Sequence, residues 1–107
     1  MGCKQEIEKD VDVLIGADKI RAGKEAEKDL AIAKCKELFQ REQSGGIDFS
    51  KGPCLSQAII PNWVCDVAHN PREDVDDKLE NQCSAFREGK AEHFVELDLG
   101  GNLIKTY

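Results

Sequence analysis

The stretch CDVAHNPREDVDDKLENQC, from Cys65 to Cys83, sets two cysteines around a histidine, two asparagines, a proline and a run of carboxylates. Those residue types could hold a metal, pair a nucleophile with a base, or close a loop through sulfur. Zinc takes about four Cys, His or carboxylate ligands, and Cys54, Cys65, His69, Cys83 and His93 are the supply. Cys65 and His69 are spaced C-x-x-x-H, which converges on one ion only on a helix; on a strand the two share a face but lie about 13 Å apart. There is no C-x-x-C knuckle. Calcium could use the oxygens of Glu73, Asp74, Asp76, Asp77 and Glu80, but Val75 interrupts the acids and the central glycine of a calcium loop is missing. A thiol nucleophile needs a base beside it and a lowered pKa. His69 or His93 could serve, yet no spacing brings either to a cysteine, and Cys65 shares a strand face with Trp63 and Val67, as a core residue would. No metal and no cofactor is expected.

Sulfur bonding is the favoured reading. Five cysteines in 107 residues is an odd number, so one must be accounted for apart from any pairing. The start Met1-Gly2-Cys3-Lys4 resembles the junction of a prokaryotic lipoprotein, where a small residue precedes the cysteine that becomes the lipid-bearing N-terminus. On that reading Cys3 carries lipid, a signal peptide has been removed and Met1 added. The N-myristoylation pattern fits less well, because Glu6 stands where Ser or Thr is required. Of the remaining cysteines, Cys54 and Cys83 lie beside turn-rich polar sequence, and Cys35 and Cys65 lie on apolar faces. A rim bond Cys54–Cys83 is therefore expected, with Cys35 and Cys65 as buried neighbours, either bonded or packed as thiols. The rival is Cys65–Cys83, closing the quoted loop itself; spacing alone does not decide connectivity.

The elements that must position these residues follow from periodicity. Residues 1–17 read as a tether, and 18–107 as one domain. From Asp18 to Gln43 the chain is rich in Ala, Glu, Lys and Leu with no proline, which predicts a helix. Ala31, Cys35, Leu38 and Phe39 form its apolar stripe, with Ile32 at the border. Ser44-Gly45-Gly46 ends it. CLSQAII is a short helical turn or an irregular strand, ended by Pro61. NWVCDVAH alternates and reads as a strand. The polar run from Asn70 to Glu80 reads as a loop, with Asn70-Pro71 starting a turn. NQCSAFR and AEHFVELDL, on either side of Glu88-Gly89-Lys90, read as a hairpin, and Gly100-Gly101 joins AEHFVELDL to NLIKTY in a second one. On the middle strand Ala91, His93, Val95, Leu97 and Leu99 share the apolar face; Glu92, Phe94, Glu96 and Asp98 share a face expected to be mostly solvated. The predicted fold is α+β: one long N-terminal helix packed on an antiparallel sheet of about four strands, a layout resembling the cystatin-like roll.

Composition removes several function classes. The net charge is −6, which opposes nucleic-acid binding, where affinity comes from neutralising phosphates. No apolar run approaches the ~20 residues of a membrane span, so membrane contact is expected only through a lipid at Cys3. Aromatic residues are 6% of the chain, so the core must be mostly aliphatic.

The runs GPCLS, NWVCDVAHNPRE and ENQCSAFREGKAEHFVELDLGGNLI resemble a group of small uncharacterised prokaryotic proteins, many with lipoprotein-type leaders, over roughly residues 30 to 107. The resemblance implies an exported domain tethered to a membrane and supplies no activity. Cys65 is the cysteine such a group is least expected to share, which favours Cys54–Cys83 over the rival bond. The expected function is an exported, lipid-anchored, non-enzymatic domain that binds a protein, peptide or cell-envelope component. Its ordered loop offers His69, Asn70, Arg72, Asn81 and Gln82 as ligand contacts, although Asn and Gln in such a loop also pin it by bonds to backbone. The alternative is a cysteine- or metal-dependent enzyme or metal carrier using Cys65, His69, Cys83 and His93. An inhibitor of an extracellular hydrolase is suggested only by the cystatin-like layout, and the Q-x-V-x-G loop of such inhibitors is absent.

Overall fold

The helix-forming segment folds as α1, Gly16–Ser44. The computed structural model describes the backbone from residue 16 and the side chains from residue 23; the lipid attachment expected at Cys3, and the tether expected over residues 1–17 apart from its last two positions, lie outside the described residues. Ala31, Cys35 and Phe39, four apart, are the buried stripe of α1. The helix stops in a glycine cap. Gly46 adopts φ +86°, and the N–H groups of Ile47 and Gly46 donate to the carbonyls of Glu42 and Gln43, each at 3.1 Å. Phe49 then folds back onto the helix and stacks on Phe39, with ring centroids 4.3 Å apart.

Four strands follow: β1 Cys54–Ile60, β2 Trp63–Val67, β3 His93–Leu97 and β4 Leu103–Thr106, in spatial order β1-β2-β3-β4. CLSQAII is thus a strand. Pro61-Asn62 turns it into β2, with Asn62 at φ 75°, the proline-then-left-handed pattern of a tight turn. The fold class is α+β, one long helix on a four-stranded sheet, as expected. The sheet is mixed rather than wholly antiparallel: β1–β2 and β3–β4 are antiparallel, and the central pair β2–β3 is parallel, in register from Trp63↔His93 to Val67↔Leu97.

That parallel pair replaces the first expected hairpin. Parallel neighbours cannot be joined by a tight turn and need a crossover of a dozen or more residues. Residues 68–92 supply it, as two 3-10 turns, Asp74–Asp77 and Leu79–Asn81, and a short helix α2, Ser84–Arg87. NQCSAFR therefore forms no strand. Its Cys83 is bonded to Cys54 at the start of β1, and Ala85 and Phe86 pack down on Val64 and Phe94. The second hairpin, β3–β4, forms around Gly100-Gly101 as expected. Gly101 (φ +86°) sits so close to α1 that a Cβ there would meet the Phe39 ring at 2.9 Å.

The alternation of β2 and β3 sorts their side chains into two layers. Toward α1 lie Trp63, Cys65, Val67, Val95 and Leu97, packed with Ala31, Cys35 and Phe39. On the opposite face Val64, Cys83 and Ala91 form a second, smaller cluster with Cys54, Ala85, Phe86 and Phe94 around it. The face expected to be mostly solvated is therefore covered by the crossover: Glu96 is only 5% exposed. Each layer carries one disulfide, Cys35–Cys65 between α1 and β2 and Cys54–Cys83 between β1 and the crossover.

The bonds join residues 30 and 29 apart, so in the chain-entropy model each contributes about 3–4 kcal/mol. Cys54→Ser and Cys83→Ser should each lower unfolding stability by about that amount, and the double variant should be no worse than the poorer single one. Denaturant unfolding with and without reductant measures it; equal stability of wild type and variants would show that the bond does not hold the fold.

Candidate functional site

The covered face of the sheet holds a cavity of about 360 Å³, within the usual range for small-molecule sites. Its apolar side is Val64, Phe86 and Phe94 with the Cys83 sulfur; its polar side is Asp66, Arg72, Gln82, Arg87, Glu96 and Lys105. Phe86 meets Phe94 edge-on at 5.0 Å, and Tyr107 stacks along Phe94 at 5.7 Å. The polar residues come from every neighbouring element. Asp66 and Glu96 are register partners on the parallel strands, Lys105 pairs with Glu96 from β4, Arg87 ends α2, and Arg72 reaches in from the crossover.

Two adjacent strands thus present two carboxyls side by side. Arg72 settles one of them: it donates to Glu96 Oε2 at 2.8 Å and to Asp77 Oδ1 at 2.9 Å. Asp66 has no such partner among the described residues, apart from the N–H of Val67 at 2.9 Å. Burial pushes its pKa up to about 8, and the nearby Glu96 charge adds to the rise, against the opposing Val67 N–H and Arg72. A carboxylic acid that keeps its proton near neutrality is a hydrogen-bond donor placed in a cleft.

The loop before α2 is organised on Asp76, a buried carboxylate 3% exposed. Its Oδ2 accepts from the N–H groups of His69 (3.0 Å) and Glu73 (2.9 Å), and its Oδ1 lies 3.0 Å from His69 Nδ1. Since a carboxylate only accepts, that ring nitrogen carries the proton. Burial would raise the Asp76 pKa, but these donors together hold it below the ordinary value. Gly52, at φ +66°, passes against this carboxylate, and any Cβ there would collide with it.

The structure divides the residues singled out in the sequence. Arg72 and Gln82 line the cavity; His69 and Asn70 lie in a second, shallower cleft with Pro71, Glu73, Asp98, Leu99 and Gly100. The Asn81 side chain is buried and donates to the Val75 carbonyl at 2.9 Å, and Gln82 also donates to the Asp77 carbonyl at 3.0 Å. His93 is stacked on Trp63 at 4.6 Å, with Nδ1 2.9 Å from the Tyr107 carbonyl, on the helix side of the sheet, away from His69. Cys35, Cys54, Cys65 and Cys83 are all in disulfides. Among the described residues no three His, Cys, Asp or Glu side chains are placed to hold one metal ion. Asp66, Phe86, Arg87, Phe94, Glu96 and Lys105 were not singled out from the sequence. Strand alternation puts Asp66 and Glu96 on the face away from the core, but only parallel pairing sets them side by side under a cover.

Comparison with family models, curated proteins and solved structures finds no match. The cavity must be read from its own chemistry.

The Asp66 proton links this site to stability. In the unfolded chain the group titrates near 3.8, and in the folded protein near 8. Between those values the folded state keeps a proton the unfolded chain has lost, so stability falls as pH rises through that window and levels off above it. Asp76 and Asp98, held below 3.8, act in the opposite sense: their contribution is present above that value and lost as pH falls through their lower folded pKa values. Asp66→Asn should therefore gain thermal stability over wild type most at pH 8 and above, and least near pH 4. Parallel melting curves across pH 4–9 would contradict this.

Proposed function

We propose that the protein is an exported domain, held at the cell envelope by a lipid at Cys3, that binds a ligand in the cavity beneath the crossover without transforming it. The observation that carries this reading is the cavity itself, a concave site with an aromatic side and a few convergent polar groups, braced by a disulfide at its edge. Two disulfides in a small domain suit an oxidising compartment, which supports export. Binding is favoured over thiol chemistry because Cys65 and Cys83 are bonded rather than free. The two histidines are likewise engaged elsewhere, His69 with Asp76 and His93 with Trp63 and the Tyr107 carbonyl.

An NMR titration of the full chain with a panel of small aromatic and aliphatic acids, amines, alcohols and sugars tests the reading. Shifts should cluster on Val64, Phe86 and Phe94. A panel that leaves these residues unmoved, or that moves only the cleft of His69 and Gly100, would overturn it.

A further inference from the structure

The polar side of the cavity is not electrically balanced, although the chain as a whole carries −6. Arg72 and Glu96 neutralise one another at 2.8 Å, and Arg72 is also paired with Asp77. Two cations and one carboxyl remain. Among the described residues Arg87 has only the adjacent Glu88 as an ion-pair partner, at 3.9 Å. Lys105 has no ion pair among the described residues and stands 5.8 Å over the Phe94 ring. The remaining carboxyl, Asp66, keeps its proton at neutral pH because it is buried beside Glu96, so it does not cancel either cation. Beside the two cations lies the aromatic side of the cavity, Phe86 and Phe94, with Tyr107 packed against both rings outside the lining.

From this juxtaposition we infer that the cavity takes a small organic acid, its apolar body against Phe86, Phe94 and Val64 and its carboxylate between Arg87 and Lys105. This rests on the binding role proposed above and assigns its ligand class. An anion is matched by two cations that need not first give up a strong internal partner, and a guanidinium favours a carboxylate by planar, charge-assisted hydrogen bonding. An amine would meet those same two cations, and the carboxylate best placed to pair with it, Glu96, is already held by Arg72. The volume of about 360 Å³ suits one small molecule with an aromatic ring or a short alkyl chain. The same carboxylate chemistry is presented by the C-terminal residue of a peptide.

Three probes that share one apolar body test the assignment: 3-phenylpropionate, 3-phenylpropylamine and 3-phenylpropanol, titrated calorimetrically and by NMR at pH 7. The acid should bind tightest, with shifts at Val64 and Phe94. The exposed double variant Arg87→Gln/Lys105→Gln should weaken the acid about ten-fold or more and leave the alcohol unchanged. Lys51→Gln, a charge loss outside the cavity, should change neither. Gly-Gly-Phe, with a free or an amidated C-terminus, distinguishes the sources: tighter binding of the free-ended peptide than of 3-phenylpropionate assigns the carboxylate to a peptide end, and the reverse to a free acid. If the amine or the alcohol binds as well as the acid at Val64 and Phe94, the site stands and the ligand class is wrong. If the double variant binds the acid as wild type does, the placing of the carboxylate is wrong. If none of the three probes moves Val64 and Phe94, the ligand class is wrong, and the binding site itself falls only if the wider panel also leaves these residues unmoved.

Discussion

The structure depends on β2 being covered on both faces. A domain of this length has a net stability of only about 5–15 kcal/mol, so a second covered layer adds an appreciable share to what the layer under α1 supplies. Here each layer is fastened by sulfur. Cys65, at the centre of β2, is bonded to the middle of α1, and Cys83, in the crossover, is bonded to the first residue of β1. The parallel pairing of β2 with β3 makes the second layer unavoidable, because the chain must travel the length of the sheet to begin β3. It travels across the face that α1 leaves open.

The polar chemistry follows from that route. A crossover lying on strand faces that alternate apolar and acidic must either bury carboxyls or bring partners to them. Arg72 is brought to Glu96, and Asp76 is brought to the N–H groups that begin the loop. The loop is thus ordered by a buried carboxylate with three donors, an arrangement that leaves room for glycine alone at position 52. Among the described residues Asp66 is the carboxyl left without a cation of its own, and it lines the gap between α2 and the strands. The cavity, its uncharged acid and its two weakly partnered cations are products of one topological fact.

Much of the fold was legible in the sequence. The helix showed in the spacing of Ala31, Cys35 and Phe39, the last hairpin in Gly100-Gly101, and β2 in the alternation from Trp63 to Val67. The sorting of cysteines by environment, turn-rich for Cys54 and Cys83 and apolar for Cys35 and Cys65, corresponds to the two bonds in the structure. What was not legible was strand direction. NQCSAFR and AEHFVELDL around Glu88-Gly89-Lys90 carry the local signals of a hairpin, and nothing local says that Trp63 lies beside His93 on a parallel strand. Once the sheet is taken as antiparallel with one dry face, Glu96 and Phe94 become surface residues, and the cavity they line is lost from view. The turn residues mark the loop as ordered, but the partner that orders it, Asp76, is in sequence one acid among several in a charged run.

Cys54–Cys83 fastens the crossover, and with it the cavity, as a layer distinct from the one held by α1. Native-state hydrogen exchange on a Cys54→Ala/Cys83→Ala variant that keeps Cys35–Cys65 tests it directly. Amides of residues 69–90 should lose protection by local opening, while those of Trp63–Val67 and His93–Leu97 stay protected. Uniform loss of protection across both layers would contradict it, and would mean that the sheet and its cover form one indivisible unit.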